Sequence, residues 1–114
     1  WFHIVVLQED ITVDENITFE SWVQVAHDVW EKAKAEDISY AIRVEFYDRF
    51  HEPLGGLETG PQSAKRSGKT WETIVLDGVT PPRAKKATLI ITMDSGNEKQ
   101  VILSLAEAGL MLLR

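Results

Sequence analysis

The chain of 114 residues contains no cysteine, which removes disulfide staples, thiolate chemistry and a cysteine zinc site together. It also lacks basic surplus. Twelve lysines and arginines against 18 aspartates and glutamates leave a formal net charge of -6. A protein that binds the phosphate backbone gathers its cations on one face, so nucleic acid is disfavoured as a partner. No apolar run reaches the ~18 residues of a membrane-spanning helix, and no membrane partner is expected. Trp1-Phe2-His3 opens directly into strand-like sequence without the basic start of a signal peptide, which suggests a domain that lacks an N-terminal strand or is excised from a longer protein. The histidines His3, His27 and His51 never fall at metal-ligand spacing, and Pro53 after His51-Glu52 excludes the helical zinc pattern. Neither a metal nor a cofactor is expected.

What is present is alternation. Tyr40, Ile42, Val44 and Phe46 lie on one side of an extended segment, with Ala41, Arg43, Glu45 and Tyr47 on the other, as a half-buried strand requires. Residues 17–27 repeat the pattern. Ile17, Phe19, Val23 and Val25 point one way, and Thr18, Glu20, Trp22, Gln24 and Ala26 the other. Ala87, Leu89, Ile91 and Met93 alternate with Thr88, Ile90 and Thr92 in the same manner. The apolar sides of these three strands, Phe19, Val23, Val25, Ile42, Val44, Phe46, Leu89, Ile91 and Met93, form the predicted core.

The remaining segments fill in the order. Residues 2–7 read as a buried strand, 71–77 as another, and 101–105 and 109–113 as two short ones. The Ala, Lys and Glu content of residues 28–37, with Asp28 and Glu31 at capping-box spacing, predicts a short helix there. Residues 51–70 hold two prolines, four glycines and the Lys65-Arg66 pair, and read as one long loop. Gly68-Lys69-Thr70 closes it, but Ser63 stands where a phosphate loop needs glycine. Strands at regular spacing with turn chemistry between them predict a single all-β domain, an antiparallel β-sandwich.

In the succession ITFESWVQVA, IRVEFYDRFHEPLGG, a glycine-rich stretch ending in KTWE, and VTPPRAKKATLIITMD, the chain resembles the jelly-roll carbohydrate-binding modules of the galactose-binding-like superfamily. That resemblance implies a non-catalytic accessory domain, attached to adjoining domains of a larger enzyme in an extracellular or cell-surface setting, with a poly- or oligosaccharide as partner. Two departures stand out. The opening strand and its glycine-rich turn are missing, and Ala106-Glu107-Ala108 replaces the aspartate pair of the closing strand, so the structural calcium of such modules is not implied here.

Were residues 17–27 and 40–48 to share a sheet, Glu20, Trp22, Gln24, Arg43, Glu45 and Tyr47 would share its outer face. Sugar recognition needs that mixture, an aromatic face for the pyranose C–H groups and charged or amide groups for its hydroxyls. The plainer reading is a solvated face with cross-strand ion pairs, in a structural or assembly domain that binds no sugar. Glu20 and Glu45 are the most plausible carboxylates for a glycosidase pair, and no second motif supports one. Trp71, opening a strand, is expected to pack on the sandwich, with Trp30 in reserve.

Overall fold

The computed structural model describes residues 2–29, 39–60, 62–63, 71–94 and 101–114; of 26–29, 62–63 and 101–104 it describes the backbone. Among the described residues eight strands are formed: β1 (Phe2–Thr12), β2 (Thr18–Val29), β3 (Ser39–Tyr47), β4 (Pro53–Glu58), β5 (Gln62–Ser63), β6 (Glu72–Val79), β7 (Lys86–Asp94) and β8 (Val101–Leu112). Among the described residues there is no helix. A five-stranded sheet runs β1-β7-β3-β4 with β5 also on β3, and a three-stranded sheet runs β6-β2-β8. Every pairing is antiparallel. Apart from β3, β4 and β5, each successive strand crosses to the other sheet. The result is the expected antiparallel sandwich of jelly-roll type.

Alternation decides the interior. Phe19, Val23 and Val25 of β2 meet Ile42, Val44 and Phe46 of β3 and Leu89, Ile91 and Met93 of β7, and each is at most 4% exposed. All nine predicted core residues are therefore inside. The rings of Phe19 and Phe46 join the two sheets edge to face at 5.5 Å between centroids. Ser21 sits on the same inward side, and its hydroxyl donates to the Leu76 carbonyl at 2.8 Å. That bond is what lets a polar side chain occupy a core position. Burial pushes the Tyr40 phenol well above its ordinary pKa, and the nearby Glu72 carboxylate adds to the effect.

Four expectations need correction. Residues 2–7 form a strand, but it is a sheet edge, with Phe2 and Ile4 more than 60% exposed. The predicted long loop contains β4, which pairs with β3 from Arg43–Glu58 to Tyr47–Pro53, and β5. Its glycines signalled a loop, yet Gly56 is a strand residue: a β-carbon there would stand 2.5 Å from the Val44 carbonyl oxygen and 3.1 Å from Nη2 of Arg43. The two short C-terminal strands are one, β8, which stays paired to β2 across a register shift between Val23 and Val25. Finally, β2 runs on to Val29, so residues 28 and 29 are strand where a helix was predicted; residues 30–38, with Trp30, lie outside the described residues.

Candidate functional site

The six predicted site residues divide between the two sheets. Glu20, Trp22 and Gln24 lie on β2, in register with Asp77, Val75 and Thr73 of β6, on the outer face of the three-stranded sheet. Arg43, Glu45 and Tyr47 lie on β3, in register with Ile90, Thr88 and Lys86 of β7, on the outer face of the five-stranded sheet. The expectation of one shared face is thus incorrect. The alternation was right, but β2 and β3 belong to opposite layers, so their outward sides look away from each other. For the same reason Glu20 and Glu45 do not flank a common groove.

Trp22 is half-buried because its indole lies across Gly109 of the neighbouring strand β8. It covers the sheet. Trp71, expected to pack, is instead 53% exposed immediately before β6.

The five-stranded sheet carries the more structured surface. Arg43 Nε donates to Glu45 Oε1 at 3.1 Å, and the Tyr47 hydroxyl donates to Glu45 Oε2 at 2.9 Å. Arg43 Nη1 also approaches Glu58 Oε2 across the strand pair at 3.6 Å. These groups follow one another at every second position of β3, so the pleat itself aligns them. Because Tyr47 donates to a carboxylate, its phenol is held above its ordinary pKa; partial burial and the charges of Glu45 and Glu9 add to this, and Arg43 opposes it. Beyond Tyr47 the stripe continues to His51, whose ring lies 6.2 Å away and whose Nε2 is 3.8 Å from Asp10 Oδ1.

Where β3 ends, three connections are laced together. Asp48 Oδ1 accepts the Phe50 and Glu52 amides at 2.8 and 3.0 Å, which tightens the β3–β4 turn and sets His51 at φ +62°. Buried Thr80 accepts the Ile17 amide at 2.9 Å and donates to the Asp14 carbonyl at 2.6 Å, joining the β6–β7 connection to the β1–β2 connection. The Lys85 amide reaches the Tyr47 carbonyl at 2.9 Å, and the Arg83 amide, at φ +71°, reaches Glu15 Oε2 at 2.6 Å. Between them opens a cleft of about 370 Å³ lined by Glu15, Asp48, Arg49, Phe50, Arg83 and Lys85. Phe50 is 70% exposed there, with the Arg49 guanidinium 4.6 Å above its ring.

Sequence reasoning missed this cleft, since it is assembled from connections more than 30 residues apart. The signal that pointed to it is an aromatic residue in the polar turn Asp48-Arg49-Phe50-His51. Among the described residues no group of three or more histidines, aspartates or glutamates is placed to hold a metal ion.

No protein-family model and no curated protein matches the chain. Solved structures do. The enzymatically active domain of tailspike protein 4 from bacteriophage CBA120 matches with a TM-score of 0.63 at 12% identity, over 98% of this chain and 13% of that one. Infectious bursal disease virus, strain Gx, matches with 0.66 at 9% identity, over 96% and 25%. A mutant VP2 protein of the same virus matches with 0.63 at 10% identity, over 95% and 26%. These likenesses concern the fold, and the chain spans about a quarter or less of each neighbour.

Proposed function

We propose that the domain is a non-catalytic carbohydrate-binding module, galactose-binding-like in type, whose ligand lies on the outer face of the five-stranded sheet along Arg43, Glu45 and Tyr47. One observation carries the reading: these side chains are fixed by mutual hydrogen bonds before any ligand arrives. Preorganised donors and acceptors lose less entropy on binding a hydroxylated ligand than mobile ones do. Tyr47 presents a ring beside them, and the adjoining cleft offers Phe50. The net charge of -6 favours a neutral or basic glycan over a polyanionic one. An open face of this kind implies modest affinity. Of the residues expected at the site, Trp22, Glu20 and Gln24 fall away because they lie on the other face.

The runner-up is an assembly or linker domain. It is favoured by the way the Arg43, Glu45, Tyr47 and Glu58 groups answer one another, and by likeness to parts of larger viral proteins. A glycan array with the parent, Tyr47→Ala, Arg43→Ala and Trp22→Ala separates the two. Binding lost in the first two variants and kept in Trp22→Ala supports the module. A parent that retains no glycan favours the assembly reading.

A further inference from the structure

The end of the sandwich where β3 stops concentrates left-handed backbone. Among the described residues, four that are not glycine have positive φ: Asp10 at +53°, Asn16 at +56°, His51 at +62° and Arg83 at +71°. All four lie at the Phe50 cleft or beside it. Arg83 lines it, Asn16 and His51 follow the lining residues Glu15 and Phe50 in the chain, and Asp10 Oδ1 stands 3.8 Å from His51 Nε2. Asparagine, aspartate and histidine tolerate this region better than most residues, whereas at Arg83 glycine would adopt it freely and arginine does not. Strain of this kind gathers where a site needs a particular side chain.

The cleft also differs in charge from the chain around it. Arg49, Arg83 and Lys85 against Glu15 and Asp48 give its lining a net charge of +1, in a chain that bears -6. Both carboxylates are already engaged in the fold: Glu15 Oε2 accepts the Arg83 amide at 2.6 Å, and Asp48 Oδ1 accepts those of Phe50 and Glu52. The cations are less committed. Lys85 Nζ is 3.5 Å from the Asp14 carboxylate, which Arg114 shares, while the guanidiniums of Arg49 and Arg83 pair with no carboxylate among the described residues. Arg49 lies instead over the Phe50 ring, whose exposure leaves it open to a second group.

We propose that this cleft binds a single carboxylate carried on an apolar ring, with the Arg83 and Arg49 guanidiniums taking the carboxylate and Phe50 lying along the ring. A guanidinium fork matches a carboxylate in both plane and spacing. Charge limits the ligand to one negative group, since one carboxylate neutralises the lining whereas a phosphate dianion would exceed it and be repelled by Glu15 and Asp48. A volume of about 370 Å³ suits one ring with its substituents rather than an oligomer. Free aromatic acids and aromatic residues that end a polypeptide both present this chemistry. The site is built from connections and not from the sheet, so the proposal does not rest on a glycan lying along Arg43, Glu45 and Tyr47.

Amide NMR spectra recorded during titration with benzoate and with N-acetylphenylalanine read the site, because the Phe50 and Arg83 amides are both bonded to its carboxylates. Saturable shifts of these two amides are expected with at least one of the acids, and the tighter of the two identifies the source. Benzyl alcohol, a ring without the charge, should bind at least about tenfold more weakly than that acid. Arg83→Gly should weaken the acid by a similar factor yet leave the melting temperature close to that of the parent, since glycine's greater freedom when unfolded offsets the relief of left-handed strain. Arg49→Ala leaves the Arg83 turn untouched and should weaken the acid as well. An absence of saturable shifts with both acids overturns the proposal. So does binding that is unchanged in either variant, benzyl alcohol or glucuronate that binds as tightly as the better acid, or phenyl phosphate that binds more tightly.

Discussion

The indole of Trp22 rests on Gly109. The two residues are register partners on β2 and β8, and a β-carbon at Gly109 would stand 2.7 Å from Cζ2 and 3.0 Å from Cη2 of the ring. A bare glycine backbone thereby gains an apolar cover, and a tryptophan on an outward face stays half-buried.

Gly109→Ala should then displace the indole and cost roughly 1 to 3 kcal/mol, the usual range for an overpacked contact. In Trp22→Ala the same glycine substitution should cost much less, because nothing remains to be displaced. Urea unfolding of the parent, both single variants and the double variant measures the coupling. Additive losses would show that ring and glycine do not constrain each other.

Phe46 is 1% exposed and packs edge to face on Phe19 from the opposite sheet. Phe46→Ala should cost roughly 3 to 5 kcal/mol. A double-mutant cycle with Phe19→Ala should recover a coupling of about 0.5 to 1.5 kcal/mol from the ring pair. A loss below about 1 kcal/mol for Phe46→Ala would contradict its place at the centre of the core.

Ultraviolet titration of the tyrosines provides a check on the polar stripe. The chain has two, and both are raised above the ordinary value, Tyr40 by burial and Tyr47 first by its bond to Glu45. Glu45→Ala should bring the Tyr47 transition down and leave that of Tyr40 in place. For such raised groups the stabilisation is complete below the unfolded pKa and disappears as pH rises through the folded one. Glu45→Ala should consequently lose the Tyr47 share of the alkaline dependence, so that its stability falls less steeply with rising pH than that of the parent.

Asp14 tests the acid side. Its carboxyl is held below the usual value mainly by the hydrogen bond from Arg114 at 2.8 Å, with the charges of Arg114 and Lys85 adding to this and partial desolvation opposing it. A depressed carboxylate contributes stability above its unfolded pKa, and that contribution is lost as pH falls through the folded one. Asp14→Asn should remove this part of the acid dependence, and added salt should shrink the difference from the parent, because the pair is exposed. An acid limb that is identical in both proteins would exclude a role for Asp14.

Where one rule governed, the fold was legible in the sequence. Period-two alternation in residues 17–27, 40–47 and 87–93 placed Phe19, Ile42 and Leu89 inside, since one face of each strand must be dry. It also placed Arg43, Glu45, Tyr47 and Trp22 outward. It could not say which layer each strand joins, because outward on β2 and outward on β3 look the same in a single sequence. Composition misled at Gly56, which serves a strand passing close under Arg43, and at residues 2–6, where an apolar run that suggested burial forms an edge. The cleft at Phe50 depends on Arg83 meeting Glu15, a contact across 68 residues that no local pattern encodes.

The strand order also sets a timetable. Strand β1 closes on β7, and β2 takes β8 as one of its two neighbours, so the first two strands to leave a ribosome wait for the last two. Contacts this distant in sequence make for slow folding, because the loop entropy is lost before the pairing that compensates it. Through that interval the FHIVV stretch and the inward side of β2 are unpartnered in a nascent chain. The pairing that covers residues 2–25 in the fold is complete only once residue 112 has emerged.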